Sequence, residues 1–358
     1  MDVNSRIEAL SRLGKTIQDF VHSYHGKQDF SDPRLHWLKQ QVKQAPDKNP
    51  WFTIPHILEA LGSIGKNLTS ENLHQWIGLY PDLPREQASP KRVGVVPAGN
   101  IPLVGFHDFL SVLITGNIYY AKLSSKDPIL PKALASLVQA IEPRFSEQIV
   151  FEDQQMRNFD AIIATGSNNT SRYFEYYFGA YPHIIRKNRN GVAVLTGKET
   201  PQEMQQLAKD VFLYFGLGCR NVSKLYVPEN YDMNGLLDQF NDFERITDNS
   251  KYGNNYDYNK SIFLINQVPH YDTGFVLVKR DPRISSPIST LHYEAYQNTE
   301  DLKQMIEHNR NQIQCVVSHC EDFPEALPFG QAQYPQLWDY ADGIDTLRFL
   351  ISLNQGKI

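Results

Sequence analysis

A cysteine lies between glycines and cations in the segment FGLGCRNVSKLYV, residues 215–227. A long apolar helical pattern ends there and a strand pattern begins a few residues later, so the turn would hold Cys219 at the edge of a sheet. Arg220 and Lys224 are close in sequence and would favour the nucleophilic thiolate if either cation reaches the sulfur. A buried thiol behind a glycine that ends a helix is the alternative. The residues alone leave both interpretations open.

Asn100 stands in a second segment of this kind, GVVPAGNIP over residues 94–102, in which a buried-type strand enters a Pro/Gly turn. An amide side chain at the carboxyl edge of a sheet can donate a hydrogen bond to a developing oxyanion. An ordinary turn or helix-capping role is the alternative.

Two further segments have the features of a nucleotide site. Lys122 ends a short strand and could hold a ribose or phosphate, although many such lysines are solvated surface charges. Ser167 follows Ala164-Thr-Gly at the entrance of a helix, where exposed amides and the helix dipole suit an anion such as a pyrophosphate. The common dinucleotide fingerprint, the P-loop and the hydrolase nucleophile elbow are absent from the sequence.

Cys315, His319 and Cys320 could suggest a metal site, but their spacing fits no standard zinc site and a fourth ligand is not evident. The sequence therefore predicts no metal.

Alternating strands and helices would position these residues. After about eighty mostly helical residues and a proline-rich connection at 81–91, the predicted strands are 93–97, 118–122, 149–151, 160–166, 183–186 and 192–195. Helical patterns separate them, which is typical of a parallel sheet covered on both faces. Such sheets bind ligands at the carboxyl ends of their strands.

A second alternating block follows. It contains predicted helices at 200–215, 231–243 and 299–309, and predicted strands at 224–228, 261–265, 274–279 and 313–317. The last segment, 343–353, is apolar and β-prone, so we expect a terminal strand that pairs with something, another subunit being one option.

Length and composition exclude several classes. The 358 residues suggest two or three domains, and 41% hydrophobic with 21% charged residues is ordinary for a soluble globular protein. The net charge of −5 suggests no nucleic-acid or membrane-surface partner. No apolar run approaches the roughly 20 residues of a membrane span. The N-terminus predicts a helix rather than a signal peptide, and three cysteines are too few for a disulfide framework, so we expect a cytoplasmic protein.

Taken in order, segments from about Val93 to Gly330 resemble the aldehyde dehydrogenase superfamily. Residues 97–102 resemble its Pro-Trp-Asn-Phe-Pro segment, 115–122 its Thr-Gly-Asn-x-x-x-x-Lys segment, 164–167 its Phe-Thr-Gly-Ser turn, 216–227 its Gly-Gln-x-Cys stretch and 328–330 its late Pro-Phe-Gly-Gly. The resemblance implies that Cys219 is the nucleophile and Asn100 an oxyanion donor. It also implies cofactor contacts at Lys122, Ser124, Ser125, Thr165, Gly166 and Ser167.

The resemblance implies an α/β, aldehyde-dehydrogenase-like fold with two doubly wound α/β domains and a helical N-terminal region. Residues 1–197 would form the N-terminal helices and a Rossmann-like NAD(P)-binding domain, to which 325–345 return. Residues 198–324 would form the catalytic domain with Cys219, and 346–358 a C-terminal strand for oligomerisation. Relatives pair a protruding hairpin and this strand with a second subunit; 84–92 and 346–353 would play those parts in a homodimer.

Departures from the family pattern refine the prediction. Ser125, followed by Lys126, stands where ordinary members carry an acid that accepts from the ribose 2′-hydroxyl and repels a 2′-phosphate, which favours NADPH. Hydrolytic members carry a glutamate general base in a Glu-Leu-Gly-Gly-Lys segment, whereas residues 184–191 here are IIRKNRNG. The family's nicotinamide-ribose glutamate has no counterpart near residues 284–288.

Without that base, water lacks an activator for attack on a thioester at Cys219, and the acyl group can be reduced by hydride instead. With residues 216–224 and 341–349, the pattern is similar to the LuxC-type acyl reductases of bacterial luminescence, which convert fatty acyl thioesters to aldehydes with NADPH. The chain is shorter than those relatives, mainly before Val93, which leaves the acyl-chain length and the acyl partner open.

We therefore expect a reductase that takes an acyl-CoA or acyl carrier protein and uses NADPH. Two alternatives stay open: an NAD(P)-dependent dehydrogenase that oxidises a free aldehyde, and a non-catalytic partner that binds acyl groups or nucleotides.

Overall fold

The computed structural model describes residues 1–26, 30 and 32–358, which form two compact units. The first unit consists of Met1–Lys187 and Gln336–Ile358, and the second of Asn188–Pro335. Each unit is built around its own largely parallel sheet.

The first unit begins with a helical layer. Its helices are α1 (Val3–Ser23), α2 (Pro33–Lys48), α3 (Ile54–Asn67) and α4 (Ser70–Gly78). Asp2, Asp32, Thr53 and Thr69 cap them by accepting backbone N–H groups of the first turns. Leu10, Leu13 and Ile17, part of the apolar stripe that predicts α1, are completely buried. The predicted helix that opens at Asp32-Pro33 is also present.

A five-stranded sheet follows this layer. Its elements are β1 (Arg92–Val96), α5 (Phe106–Ile114), β2 (Ile118–Ala121), α6 (Leu130–Ile141), β3 (Ile149–Phe151), β4 (Ala161–Thr165), α7 (Asn168–Phe178) and β5 (His183–Arg186). The strand order is β3-β2-β1-β4-β5 and every pairing is parallel. These are the strands predicted for this part of the chain. The central strands β1, β2 and β4 are almost completely buried, so their apolar runs need no alternation.

The strand order reverses at β1. The chain leaves β1 for β2 on one side and later returns to β4 on the other, with Val95 opposite Ala121 and Val96 opposite Ala164. In open α/β sheets such a reversal opens a crevice at the carboxyl ends of the strands.

The second unit holds a six-stranded sheet. Its elements are β6 (Asn190–Val194), α8 (Pro201–Phe212), β7 (Val222–Pro228), α9 (Met233–Asp238), α10 (Ser250–Ile265), β8 (Tyr271–Asp272), β9 (Leu277–Arg280), β10 (Thr290–Tyr296), α11 (Thr299–His308) and β11 (Ile313–Val317). The order is β11-β6-β7-β10-β9-β8, and only the pairing of β8 with β9 is antiparallel. Both units therefore have the α/β fold class predicted from the sequence.

The division of the chain differs from the predicted domain boundaries. The first unit ends at Lys187 rather than at residue 197, because β6 pairs with β7 and β11 in the second sheet. The return to the first unit begins at Gln336, so residues 325–335 stay with the second unit.

The predicted strand at 261–265 is wrong, because these residues end helix α10. Asn249 caps that helix by accepting from the N–H groups of Lys251 and Tyr252. Its buried positions are Tyr252, Tyr256, Asn259 and Phe263, which recur at helical spacing. These buried residues are aromatic or polar, so they do not form an evident apolar stripe in the sequence. The short apolar run SIFLI is the stronger local signal, and it resembles a strand.

The predicted C-terminal strand is also wrong. Residues Thr346–Asn354 form helix α12, capped by Asp345, and Leu347, Leu350 and Ile351 are completely buried in the first unit. Residues 84–91 are irregular and form no hairpin, and Arg92 already belongs to β1. Neither segment predicted to pair with a second subunit therefore has the predicted structure: the first is not a hairpin and the second is not a strand.

Among the helices that the structure describes, none combines the length and apolarity that a bilayer crossing requires.

Candidate active site

The carboxyl edge of the first sheet brings together the residues predicted to bind the cofactor and the oxyanion. Asn100 follows β1, Lys122 follows β2 and Thr165 ends β4, and these are three adjacent strands. Because these strands are parallel, their carboxyl ends lie at the same edge of the sheet, with about 4.8 Å between neighbouring strands. The segments predicted from separate motifs therefore meet at one edge.

The loop that carries Asn100, residues 97–105, packs tightly against its neighbours. A β-carbon at Gly99 would lie 2.5 Å from the Oγ of Ser124, so only glycine fits there. The Asn49 amide donates to the Gly99 carbonyl at 3.3 Å, and the Leu103 N–H donates to the Asp127 carboxylate at 2.9 Å. Sequence reasoning missed Asn49 and Asp127, because a buried polar side chain far from a motif leaves no local pattern.

The loop after β2 exposes the groups expected to meet the cofactor's ribose. Lys122, Ser125 and Lys126 are exposed, whereas Ser124 is half-buried and its Oγ accepts from the Lys126 N–H at 3.2 Å. Ser124 thus shapes the turn, and the exposed Ser125 is followed directly by the exposed Lys126.

The turn after β4 leads into the N-terminus of α7. Ser167 caps that helix, its Oγ accepting from the Thr170 N–H at 3.2 Å. A β-carbon at Gly166 would lie 2.9 Å from the side chain of Thr170, so glycine lets the helix begin close to the strand. The helix N-terminus suits the phosphates of a dinucleotide, and Lys122 and Lys126 are exposed at the same edge of the sheet after β2, two strands away. The residues present therefore fit such a cofactor.

Cys219 occupies a tight turn between α8 and β7 in the second unit. The Asn221 N–H donates to the Gly218 carbonyl at 3.1 Å, and the Gly218 N–H donates to Asn221 Oδ1 at 2.8 Å. These two hydrogen bonds close the turn from both ends, with Cys219 partly exposed in its middle.

The backbone before this turn is strained. Tyr214, Phe215 and Gly216 have φ angles of 54°, 59° and 72°, and the first two are bulky side chains in the left-handed region. The buried Asn221 amide donates to the carbonyls of Asp210 and Leu213, both at 2.9 Å. Such strain persists only where the surroundings impose it, and it is typical of functional sites.

Asp210 joins the same turn to the late Pro-Phe-Gly segment. Its carboxylate accepts from the N–H groups of Gly330 at 2.6 Å and Ala332 at 2.9 Å. Arg220 Nε donates to the Ala332 carbonyl at 2.7 Å. Burial raises the pKa of Asp210 to about 7. Two motifs that are distant in sequence are thus held as one assembly.

Lys224 does not belong to the nucleophile turn. Its side chain is 0% exposed, and its Nζ donates to the Pro282 carbonyl at 2.8 Å and to the Glu294 carboxylate. Burial lowers the pKa of Lys224. This lysine is therefore part of the buried interior of the second unit.

The basic segment at residues 184–191 is partly structural. Arg186 is buried and binds the Asp108 carboxylate at 2.7 Å and Thr346 Oγ1 at 2.8 Å. Lys187 pairs with Glu175 on the surface at 3.0 Å. The segment brings cations, not a carboxylate, to the end of the first sheet.

Within the described residues, no group of three or more His, Cys, Asp and Glu side chains could hold a metal ion. His319 pairs with Glu203, and Cys320 contacts Asp322.

The chain is similar to a curated long-chain acyl-protein thioester reductase from Aliivibrio fischeri. The two are 24% identical over 262 residues, which is 64% of this chain and 54% of that protein. The match thus spans about half the length of that relative. No family model matches the chain.

Solved aldehyde dehydrogenases share the fold. Aldehyde dehydrogenase 21 from Physcomitrella patens, in complex with the product succinate, superposes with a TM-score of 0.63 at 13% identity, over 99% of this chain and 84% of its own. Betaine aldehyde dehydrogenase from Staphylococcus aureus, in complex with NAD⁺, gives 0.61 at 11% identity, over 93% and 74%. The aldehyde-dehydrogenase-like fold and the resemblance to acyl thioester reductases, both predicted from the sequence, are confirmed.

Proposed function

We propose that this chain reduces an acyl thioester to an aldehyde through an acyl group on Cys219, with NADPH as the reductant. The main support is Cys219 itself, presented in a braced, strained turn. The basic segment at residues 184–191, which holds no carboxylate, supports reduction over hydrolysis. The similarity to a thioester reductase agrees with both observations.

In the first step, the Cys219 thiolate attacks the thioester carbon. The bond between that carbon and the donor's sulfur breaks, and the donor thiolate leaves and takes up a proton. The acyl group remains on Cys219 as a thioester. The tetrahedral species before this collapse carries an oxyanion, for which the Asn100 amide and the Cys219 N–H are the proposed donors.

In the second step, the acyl carbon receives a hydride, and collapse of the thiohemiacetal returns the Cys219 thiolate and releases the aldehyde. NADPH, when bound, supplies that hydride. Residues 184–191 contain no carboxylate that could activate water, so we expect the acyl group on Cys219 to be reduced rather than hydrolysed.

We assign cofactor binding to the edge of the first sheet. Lys122, Ser124 and Ser125 would hold the adenosine ribose, and Ser125 beside the exposed Lys126 would accept a 2′-phosphate. Thr165, Gly166 and Ser167, at the N-terminus of α7, would hold the pyrophosphate.

The proposed donors are acyl-CoA and acyl carrier protein. Both carry the acyl group on the same type of thiol, so the Cys219 chemistry suits either one. A cytoplasmic location and a homodimer are part of the same proposal, although the segments first considered for subunit pairing have other structures.

A two-direction assay tests this function. We expect NADPH to be oxidised in the presence of acyl-CoA thioesters or acylated carrier protein, and slower reduction of NAD⁺ or NADP⁺ by the matching aldehydes. Turnover with aldehyde and NAD⁺ only would identify an aldehyde-oxidising enzyme. Tight NADPH binding without turnover in either direction would identify a binding partner.

A further inference from the structure

Asp127 is a buried carboxyl group outside the predicted site. It lies in the loop between β2 and α6 and is 4% exposed. It also lines a mainly apolar pocket together with Pro97, Leu103, Phe109 and Tyr119. Burial raises the pKa of Asp127 to about 7, although the N–H groups of Leu103 and Leu130 act in the opposite direction. Burying a carboxyl group in such surroundings costs free energy unless it is hydrogen-bonded.

The partner of Asp127 lies in the Asn100 loop. Asp127 Oδ2 accepts from the Leu103 N–H at 2.9 Å. Leu103 has a φ of 58°, a left-handed conformation that a leucine rarely adopts, and it is the only such residue between Asn100 and α5. The Leu103 carbonyl then accepts from the Phe106 N–H at 2.9 Å, where α5 begins. Asp127 therefore fixes the point at which the loop bends into the helix.

A second contact joins the same two loops. A β-carbon at Gly99 would lie 2.5 Å from Ser124 Oγ and 3.0 Å from Lys126 Cβ. Residues 97–103 thus pack against residues 124–127 at both ends, by close packing at Gly99 and by a hydrogen bond at Leu103. Asn100 lies between these two attachments.

We propose that Asp127 is a positioning residue that locks the Asn100 loop to the loop expected to bind the cofactor, so that Asn100 is held ready for the oxyanion. The lock itself follows from the geometry alone. The consequence for the reaction rests on the proposed function.

Hydrogen exchange tests the lock without any assay of activity. In Asp127→Ala, we expect peptides covering residues 97–105 to exchange at least several-fold faster while the rest of the chain is unchanged. Asp127→Asn keeps an oxygen that can accept from Leu103 and should stay near the wild type. Asp153→Ala, which removes an exposed carboxylate of the same unit, is the matched control. Saturating NADPH should slow exchange in 97–105 in the wild type and not in Asp127→Ala.

Unchanged exchange of 97–105 in a folded Asp127→Ala, with or without NADPH, would overturn the lock. If Asp127→Ala does not fold, the same comparison is made with Asp127→Leu, which removes the acceptor and fills the apolar space. Faster exchange of 97–105 than in the wild type then supports the lock, and unchanged exchange contradicts it.

Kinetics test the consequence for Asn100. Asp127→Ala should slow acylation of Cys219 by about tenfold to a hundredfold, less than the loss of the oxyanion donor itself, while the KM for the thioester changes little. In an Asn100→Ala background, Asp127→Ala should cost no more than about twofold, because the two residues act as one unit. Additive losses would show that Asp127 acts independently of Asn100. A wild-type protein that acylates with no donor would overturn the proposed function, and the exchange result would still decide on the lock.

Discussion

At the scale of single residues, the chemistry depends on a few side chains held by buried neighbours. Cys219 and Asn100 are recognisable in the sequence because motifs surround them. Asn221, Asp210 and Asp127, which brace those motifs, are not. Each binds backbone groups that are distant from its own motif or belong to another loop, and a single polar residue at such a position has no characteristic spacing. Supporting residues therefore become visible only when the chain is folded.

Replacing Asn100 with Ala tests the oxyanion assignment. We expect the rate of acylation to fall by about 10²–10³, because one donor to a developing oxyanion is lost. The melting temperature should change little, since the side chain is only half-buried. Single-turnover kinetics measure the loss, and Asn241→Ala, at an exposed asparagine, is the control. A rate within a few fold of the wild type would remove Asn100 from the site.

Ser125→Glu tests the cofactor assignment. A carboxylate at this exposed position should repel the 2′-phosphate, so the preference for NADPH over NADH should fall by at least about tenfold. Titration of nucleotide binding measures both affinities. Ser261→Glu, which adds the same charge at an exposed serine of the second unit, should leave the ratio unchanged. An unchanged ratio in Ser125→Glu would place the 2′-phosphate elsewhere.

At the scale of elements, the sequence predicts buried parallel strands well and two segments badly. Each strand of the first sheet is a short apolar run between turn signals, which local sequence can reveal. The segments 261–265 and 346–353 are also apolar and β-prone, yet both are helical. Their helix signals lie upstream, in the caps Asn249 and Asp345, and in packing against distant residues. Tertiary contacts override local preference at both places.

Helix α8, which leads to the nucleophile turn, provides a test at this scale. Thr200 and Glu203 form a reciprocal capping box at its start. Thr200→Ala removes an acceptor for the Glu203 N–H and should lower the free energy of unfolding by about 1 kcal/mol. Thr200→Ser keeps the hydroxyl, so its free energy of unfolding should fall much less. Urea denaturation compares the two, and equal stability of the Ala variant and the wild type would contradict the capping role.

At the scale of the whole molecule, the two-sheet α/β architecture was predictable and its division was not. The alternation of strands and helices continues across residues 188–197, so nothing in the local pattern assigns β6 to the second sheet. The homodimer remains a prediction, and sedimentation tests it by measuring the mass of the protein in solution. The C-terminal residues predicted to pair with a second subunit instead form α12, whose apolar face is buried in the first unit.

The stability of the protein should depend on pH through Asp210. Its pKa is raised from 3.8 to about 7 by burial, so between about pH 4 and 7 the folded state keeps a proton that the unfolded state releases. This contribution to stability is fully present below pH 4 and is lost as the pH rises through 7. The free energy of unfolding of the wild type, minus that of Asp210→Asn, should therefore fall from pH 4 to 8. Denaturation at several pH values measures it, and a constant difference would show that Asp210 is ionised throughout.

Acylation of Cys219 is the central claim, and intact mass tests it most directly. The wild type, Cys219→Ala and Cys320→Ala are mixed with acyl-CoA thioesters, and separately with acylated carrier protein, in the absence of nucleotide. We predict one acyl adduct on the wild type and on Cys320→Ala, mapped to the Cys219 peptide and released when NADPH is added. Cys219→Ala should carry none. No adduct from either donor, or an adduct that persists in Cys219→Ala, would contradict the account.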